Sequence, residues 1–264
     1  MTVFEAAAQP GGQIRLLTQT KRRAELIGIS DWRMAQCAAH GVEFRFNTWA
    51  EAEDVLACAP DVVIVATGGM AQKDILASGN ELTVSAWDIL SGDVKPGSTV
   101  LLYDDAGDHT ALQAAQVLAE AGAQVEIMTP DRSFAPEVMA MNLVPYMREL
   151  QKRDVTFTVT YLVEAVRRSG NQLLAVIGSD YGGIAKEQLH DQIVVNYGTK
   201  PSDELYFELK PLSANRGAVN YERLINGAPQ EGATGFQLYR IGDAVAARNT
   251  HAAIHDANRL VRTL

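Results

Sequence analysis

The sequence predicts an α/β fold assembled from parallel strands, and three stretches carry that prediction. Pro60 to Gly69 (PDVVIVATGG) sets four consecutive β-formers, Val62 to Val65, between a Pro-Asp start and a Thr-Gly-Gly finish. That is the composition of a fully buried parallel strand whose carboxyl end opens into a loop of small residues. Residues 99 to 129 read as strand, helix and strand over the length that a βαβ crossover needs. Gln237 to Ile241 returns as a strand, Gly242 and Asp243 end it, and a helix from Thr250 to Leu264 closes the chain.

The remaining elements follow in order. Met1 to Glu5 is an apolar, β-prone run that ends in an acid and meets the turn-rich Gln9-Pro10-Gly11-Gly12. Residues 14 to 39 carry helical periodicity, Gly41 to Phe46 reads as a strand, and Ala50 to Ala57 as a short helix. Lys95-Pro96-Gly97 punctuates the chain before the βαβ unit. From Val155 the texture changes to short strands split by turn signals: Val155–Val159, Glu164–Arg168, Leu173–Ile177 and Gln192–Tyr197. This pattern predicts an antiparallel flap on the βαβ unit. There is no internal repeat and no low-complexity segment.

Composition bounds the function. A chain of 264 residues with 47% hydrophobic content buries a substantial core. Its 32 acids against 23 bases, a formal net charge of −9, argue against a nucleic-acid partner. Cys37 and Cys58, the only cysteines, cannot make a CxxC redox pair or a thiolate metal or iron–sulfur site in this chain, and are expected as buried apolar fillers. No run of about 18 apolar residues exists to span a bilayer, and the first residues lack the pattern of a signal peptide, so the expected setting is cytoplasmic, away from membranes.

Several positions hold residues suited to a nucleotide. Glu5, at the end of a strand, stands where an acid accepts hydrogen bonds from ribose hydroxyls; an acid capping a surface strand reads equally well. Gly11, Gly12 and Gln13 let backbone approach a ligand, or simply turn the chain. Ala66, Thr67 and Gly68 follow one strand, and Gly242 and Asp243 another; each alone is more often a tight turn, but together and in this order they are more specific. No catalytic residue is assigned. His251 and His255 have metal-ligand spacing, but no HExxH glutamate or third ligand accompanies them, so no metal is expected and both read as surface or interface histidines. No Gly-x-Ser-x-Gly elbow is present. Trp32, Trp49 and Trp87 read as core or interface residues.

Phe4-Glu5, Gly11-Gly12-Gln13, Ala66-Thr67-Gly68, Gly198 to Leu209 (GTKPSDELYFEL) and Ile241-Gly242-Asp243 resemble, in order and spacing, the carboxyl-terminal half of the trimethylamine dehydrogenase and 2,4-dienoyl-CoA reductase family. The resemblance covers essentially the whole chain. It implies two interleaved Rossmann-like nucleotide-binding domains, as in glutathione reductase. Residues 1–90 and 206–264 would form an FAD/ADP-binding-type domain truncated at its amino terminus, and 96–205 an inserted NAD(P)-binding-type domain. Glu5 would bind adenosine ribose, Ala66 to Gly68 would line the cofactor channel, and Asp243 would meet the ribityl or pyrophosphate end of FAD or ADP. The family's amino-terminal flavin barrel, with its FMN and 4Fe-4S cluster, lies outside this sequence. So do the first strand and its GxGxxG turn, and without that turn tight FAD binding is not expected.

Tyr103 to Gly122 (YDDAGDHTALQAAQVLAEAG) decides between two kinds of relative. An NAD(P)H-fed reductase needs glycines at this turn so that backbone amides reach the pyrophosphate. Asp104-Asp105-Ala106-Gly107-Asp108 offers one glycine and three acids, each repelling a diphosphate. Thr129 replaces the expected ribose-binding acid, although Arg132 suits a 2′-phosphate. The expectation is therefore a Rossmann unit kept for packing, with Asp108 capping the helix. By the resemblance, the parent is a dehydrogenase or demethylase of a methylated amine or betaine that passes electrons to an electron-transferring flavoprotein. The alternatives are the FAD- and NADPH-binding region of a 2,4-dienoyl-CoA reductase-type enzyme, and a non-catalytic scaffold or dimerisation module. A missing interior strand leaves edges open, which makes a homo-oligomer the expected state.

Overall fold

A computed structural model describes residues 1–183, 185–230 and 234–264. Along the chain run β1 (Thr2–Phe4), α1 (Gln13–Leu17), a 3-10 turn (Lys21–Ile27), α2 (Gly28–Ala39), β2 (Glu43–Arg45), α3 (Ala52–Ala57), β3 (Val62–Val65), β4 (Gly69–Ala71), β5 (Val84–Ser85) and α4 (Ala86–Ser91). Next come β6 (Thr99–Asp104), α5 (His109–Glu120), β7 (Gln124–Thr129), α6 (Ala140–Gln151), β8 (Thr156–Val159), β9 (Leu162–Ser169), β10 (Gln172–Gly178), β11 (Lys186–His190) and β12 (Gln192–Asn196). The last are β13 (Thr199–Pro201), α7 (Glu204–Leu209), α8 (Tyr221–Asn226), β14 (Gln237–Arg240) and α9 (Thr250–Val261). The chain forms two compact units: Met1–Gly12, Gly28–Met70 and Thr199–Leu264 make the first, Gln13–Ile27 and Ala71–Gly198 the second.

The second unit is built on a five-stranded parallel sheet of order β5-β12-β6-β7-β8. Alternation along β6 sends Val100 and Leu102 to one face and Leu101 and Tyr103 to the other. Val100 and Leu102 join Ile89 and Leu90 of α4, Leu112 and Leu118 of α5, and Tyr146 and Leu150 of α6 in one core. Leu101 and Tyr103 join Ile193 and Val195 of β12 and the inner residues of a three-stranded antiparallel sheet, β11-β10-β9, in another. Because both faces are covered, the parallel strands are apolar nearly throughout. Leu112 is 1% exposed, and Leu112→Ala is expected to cost roughly 3 kcal/mol, read as a lower urea midpoint at unchanged slope.

Two expectations about this unit are corrected. The run Val155–Val159 and the run Gln192–Tyr197 were expected in the antiparallel flap, but β8 and β12 are members of the parallel sheet. The flap is completed instead by Lys186–His190. The periodic stretch 14–39 is also not one helix. It breaks after Leu17, where the Gln113 amide donates to the Leu17 carbonyl at 2.6 Å and to Thr20 Oγ1 at 3.1 Å. The Thr18 amide still donates to the Ile14 carbonyl at 3.1 Å, and Thr20, beyond the end of the helix, is buried.

In the first unit the parallel strands form two short sheets, β1 with β2 and β3 with β14. A small core joins Val55 of α3, Val65 of β3, Tyr206 and Leu209 of α7, and Leu238 of β14. The Val62–Val65 strand is parallel as expected but not fully buried: Val65 is buried, whereas Val62 is 38% exposed. The reason is its pairing, since among the described residues β3 has a single strand neighbour, β14, and no strand on its other edge. Trp32 and Trp49, read as core or interface residues, are exposed and lie outside the core, and of the two free cysteines Cys37 is half-buried and Cys58 exposed, not buried fillers. No helix among the described residues is long and apolar enough to cross a membrane.

Candidate functional site

In the first unit, the paired carboxyl ends of β3 and β14 bring two of the sequence motifs side by side. Arg240 is in register with Val65, and the Ile241 amide donates to the Val65 carbonyl at 3.1 Å. Ala66-Thr67-Gly68 and Gly242-Asp243 therefore leave adjacent strands at the same end, where open parallel sheets bind ligands. Thr67 Oγ1 donates to the Ser202 carbonyl, and the Ser202 amide donates to the Gly68 carbonyl at 3.0 Å, tying the first motif to the GTKPSDELYFEL stretch. Gly242 has φ 60°, and a Cβ there would lie 3.2 Å from Ala253 Cβ, so glycine is the residue that takes this turn against α9 without strain. Asn249 caps α9 by accepting from the Ala252 amide.

The polar groups at this turn are partnered within the chain. Asp243 Oδ1 accepts from the Arg248 amide at 3.0 Å. Asp256, one face of α9, accepts from the Gly242 amide at 3.2 Å and pairs with the Arg248 guanidinium. Arg240 pairs with Asp203 at 2.8 Å and lies 4.5 Å above the Tyr206 ring. Asp256 had no signal in the sequence, because it reaches Gly242 from fourteen residues further along the chain.

Glu5 follows β1 and is half-buried. Its Oε1 accepts from the Ala7 amide at 2.9 Å, and its second carboxylate oxygen has no partner among the described residues. Gly11 and Gly12 follow with φ of 119° and 45°. Glu5 thus lies at the end of the β1–β2 sheet and the glycines in the connection that follows β1, whereas the other two motifs follow the strands of the β3–β14 sheet in the same unit. Gln13 opens α1 and belongs to the second unit.

In the second unit the chain order reverses between β6 and β12, so the crevice at their carboxyl ends is the topological switch point. Asp104, at the end of β6, is 1% exposed. Its Oδ1 accepts from the Gly107 amide at 3.0 Å, the Ala106 amide at 3.3 Å and Asn196 Nδ2 at 2.9 Å. The same Asn196 amide donates to Asp108 Oδ1 at 3.0 Å. Asp108 caps α5 as expected, accepting from the Thr110 amide at 2.8 Å. Burial, and secondarily the nearby Asp108, push the Asp104 carboxyl up to about 7. The single glycine of the turn, Gly107, has φ 65°, and a Cβ there would lie 2.6 Å from Pro136 Cδ.

His109 opens α5. Its Nδ1 lies 2.7 Å from Arg23 Nη1, and Arg22 stacks 3.9 Å above the Tyr146 ring. Burial and then the charge of Arg23 lower the His109 pKa to about 4, so the ring is neutral and its Nδ1 accepts a hydrogen bond from the guanidinium. Arg23 and Asn196 are not legible in the sequence as partners of this turn, since both come from distant segments. Thr129 ends β7 buried, its Oγ1 accepting from the Asp131 amide at 3.2 Å. His251 and His255 have ring centroids 6.5 Å apart, and no group of three or more metal-ligating side chains exists among the described residues.

No protein-family model matches the chain. It is 67% identical, over 99% of its length, to 39% of a probable N-methylproline demethylase of Rhizobium meliloti (strain 1021). It is 38% identical over 99% of its length to 40% of an N,N-dimethylglycine/sarcosine dehydrogenase of Chromohalobacter salexigens. It is 35% identical over 100% of its length to 40% of a multifunctional alkene reductase/demethylase OYE of Caballeronia cordobensis. The chain thus spans about two fifths of the curated relatives it matches. Among solved structures, 2-naphthoyl-CoA reductase superposes with a TM-score of 0.81 at 23% identity, covering 100% of this chain and 36% of that one. Histamine dehydrogenase from Rhizobium sp. 4-9 superposes at 0.80 and 21%, covering 100% and 40%. Thioredoxin reductase of T. acidophilum superposes at 0.66 and 15%, covering 100% and 88%. The fold is shared with these proteins, and the chain belongs to the oxidoreductase family of the demethylase and dehydrogenase relatives, as the residue resemblance implies.

Proposed function

We propose that this chain is the nucleotide-binding, electron-relay region of an oxidoreductase acting on a methylated amine or betaine. The observation that carries the reading is the juxtaposition of Ala66–Gly68 with Gly242–Asp243 at the ends of two paired parallel strands, in a chain 67% identical to a demethylase along nearly its whole length. In this reading the units are interleaved Rossmann-like domains of FAD/ADP type and NAD(P) type. Substrate chemistry takes place on a flavin barrel with FMN and a 4Fe-4S cluster, the partner of this region in the parent enzyme. Electrons leave to an electron-transferring flavoprotein.

The first unit fits the adenosine half of ADP or FAD. Glu5 keeps one carboxylate oxygen available to ribose hydroxyls, and Gly12 has open space where a side chain would stand. The pyrophosphate half is met less well, because the Gly242 amide is already taken by Asp256 and Asp243 already accepts from Arg248. When bound, FAD supplies electron transfer, whereas ADP supplies none and fills the adenosine site alone. Calorimetric titration tests this. ADP is expected to bind, and Glu5→Gln to weaken it by about tenfold, the worth of a charged hydrogen bond. Failure of both ADP and FAD to bind the folded chain would overturn the assignment.

A further inference from the structure

We infer that Asp104 excludes dinucleotides from the second unit by occupying, with its own carboxyl group, the backbone amides of the turn where a pyrophosphate would lie. The turn that joins β6 to α5 stands at the topological switch point, and such turns bind pyrophosphate through exposed backbone amides and the positive end of the following helix. Here both features are present and both are satisfied from within. The Ala106 and Gly107 amides point at Asp104 Oδ1, and the first turn of α5 is capped by Asp108. Asn196, from the strand on the other side of the switch point, donates to both carboxylates and locks them together.

The arrangement is more specific than a loss of glycines. A turn that had merely decayed would leave its amides to water, whereas these amides serve a carboxylate that is almost completely buried. A dinucleotide entering the crevice would have to displace that carboxylate and then lie against Asp108 and Asp105. Of the cations on this unit, Arg23 bonds the neutral His109 and reaches Tyr146 Oη at 3.4 Å, its buried Nε having no partner among the described residues, and Arg22 is stacked on the same ring. Asp104 is thus a specificity-determining residue for the ligand that this unit does not take. The inference is separate from adenosine binding at Glu5 and stands or falls independently of it.

The test follows the amides of Ala106 and Gly107 by nuclear magnetic resonance in the full chain. In the wild-type protein these signals are expected to stay in place on addition of inorganic pyrophosphate or NADPH. In Asp104→Ala, combined with Asp108→Ser to keep a helix cap, they are expected to shift on titration with either, with NADPH affinity at this turn raised by at least about tenfold. Wild-type amides that move with pyrophosphate overturn the inference. So does a folded double variant whose amides stay unmoved. Should the double variant not fold, Asp104→Ser alone is measured, with the same two outcomes.

Discussion

Asp104→Asn is expected to stabilise the protein at pH 8 by roughly 3–4 kcal/mol while changing little near pH 4. The carboxyl titrates near 3.8 when unfolded and is raised to about 7 in the fold, because burial and Asp108 oppose its charge. Below pH 3.8 both states hold the proton and the group contributes nothing. As the pH rises toward 7 the unfolded chain releases the proton first, so stability falls and the full cost is present above pH 7. His109 acts in the opposite direction. Its folded value, about 4, lies below the unfolded 6.5, so its cost is greatest at low pH and is relieved as pH rises from 4 to 6.5. The two slopes offset each other in the wild-type protein. In Asp104→Asn stability should therefore rise with pH between 4 and 6.5, and in His109→Gln it should fall between 4 and 7. Urea midpoints across that range check both, and an Asp104→Asn variant no more stable than wild type at pH 8 would contradict the buried-acid account.

Gly107→Ala is the second large effect, with an expected loss of roughly 2–4 kcal/mol. The position needs a left-handed backbone, and an added methyl would meet Pro136 Cδ and Cγ at 2.6 and 2.8 Å. A proline ring is stiff, so the segment after β7 must move, and with it the bond from the Glu137 amide to the Gly107 carbonyl. That shift also misaligns the Gly107 amide with Asp104. The variant should show a lower urea midpoint and faster amide exchange at Ala106 and Gly107. An unchanged midpoint would mean that the Pro136 contact is not tight.

What the sequence disclosed of this molecule follows the range of each interaction. Local composition identified Val62–Val65, β6, α5, β7 and β14, because strand and helix propensities act over a few residues. Pairing direction is not local. Val155–Val159 and Gln192–Tyr197 read correctly as strands, but nothing in their alternation says whether the neighbour runs parallel, and both joined the parallel sheet. Burial is not local either, which is why Val62 and the two cysteines departed from expectation. At the second-unit turn the sequence displayed the acids and the cap at Asp108. The folding-back of Asp104 onto the amides, and the clamp from Asn196 ninety-two residues away, exist only in the tertiary structure. The same holds for Asp256 at Gly242.

The most direct measurement is an amide-resolved titration of the whole chain with ADP. The account predicts that signals of Glu5, Gly11, Gly12, Ala66 to Gly68 and Gly242 to Asp243 shift together while Ala106, Gly107 and His109 stay fixed. Shifts confined to Ala106, Gly107 and His109, with the Glu5 region silent, would contradict it.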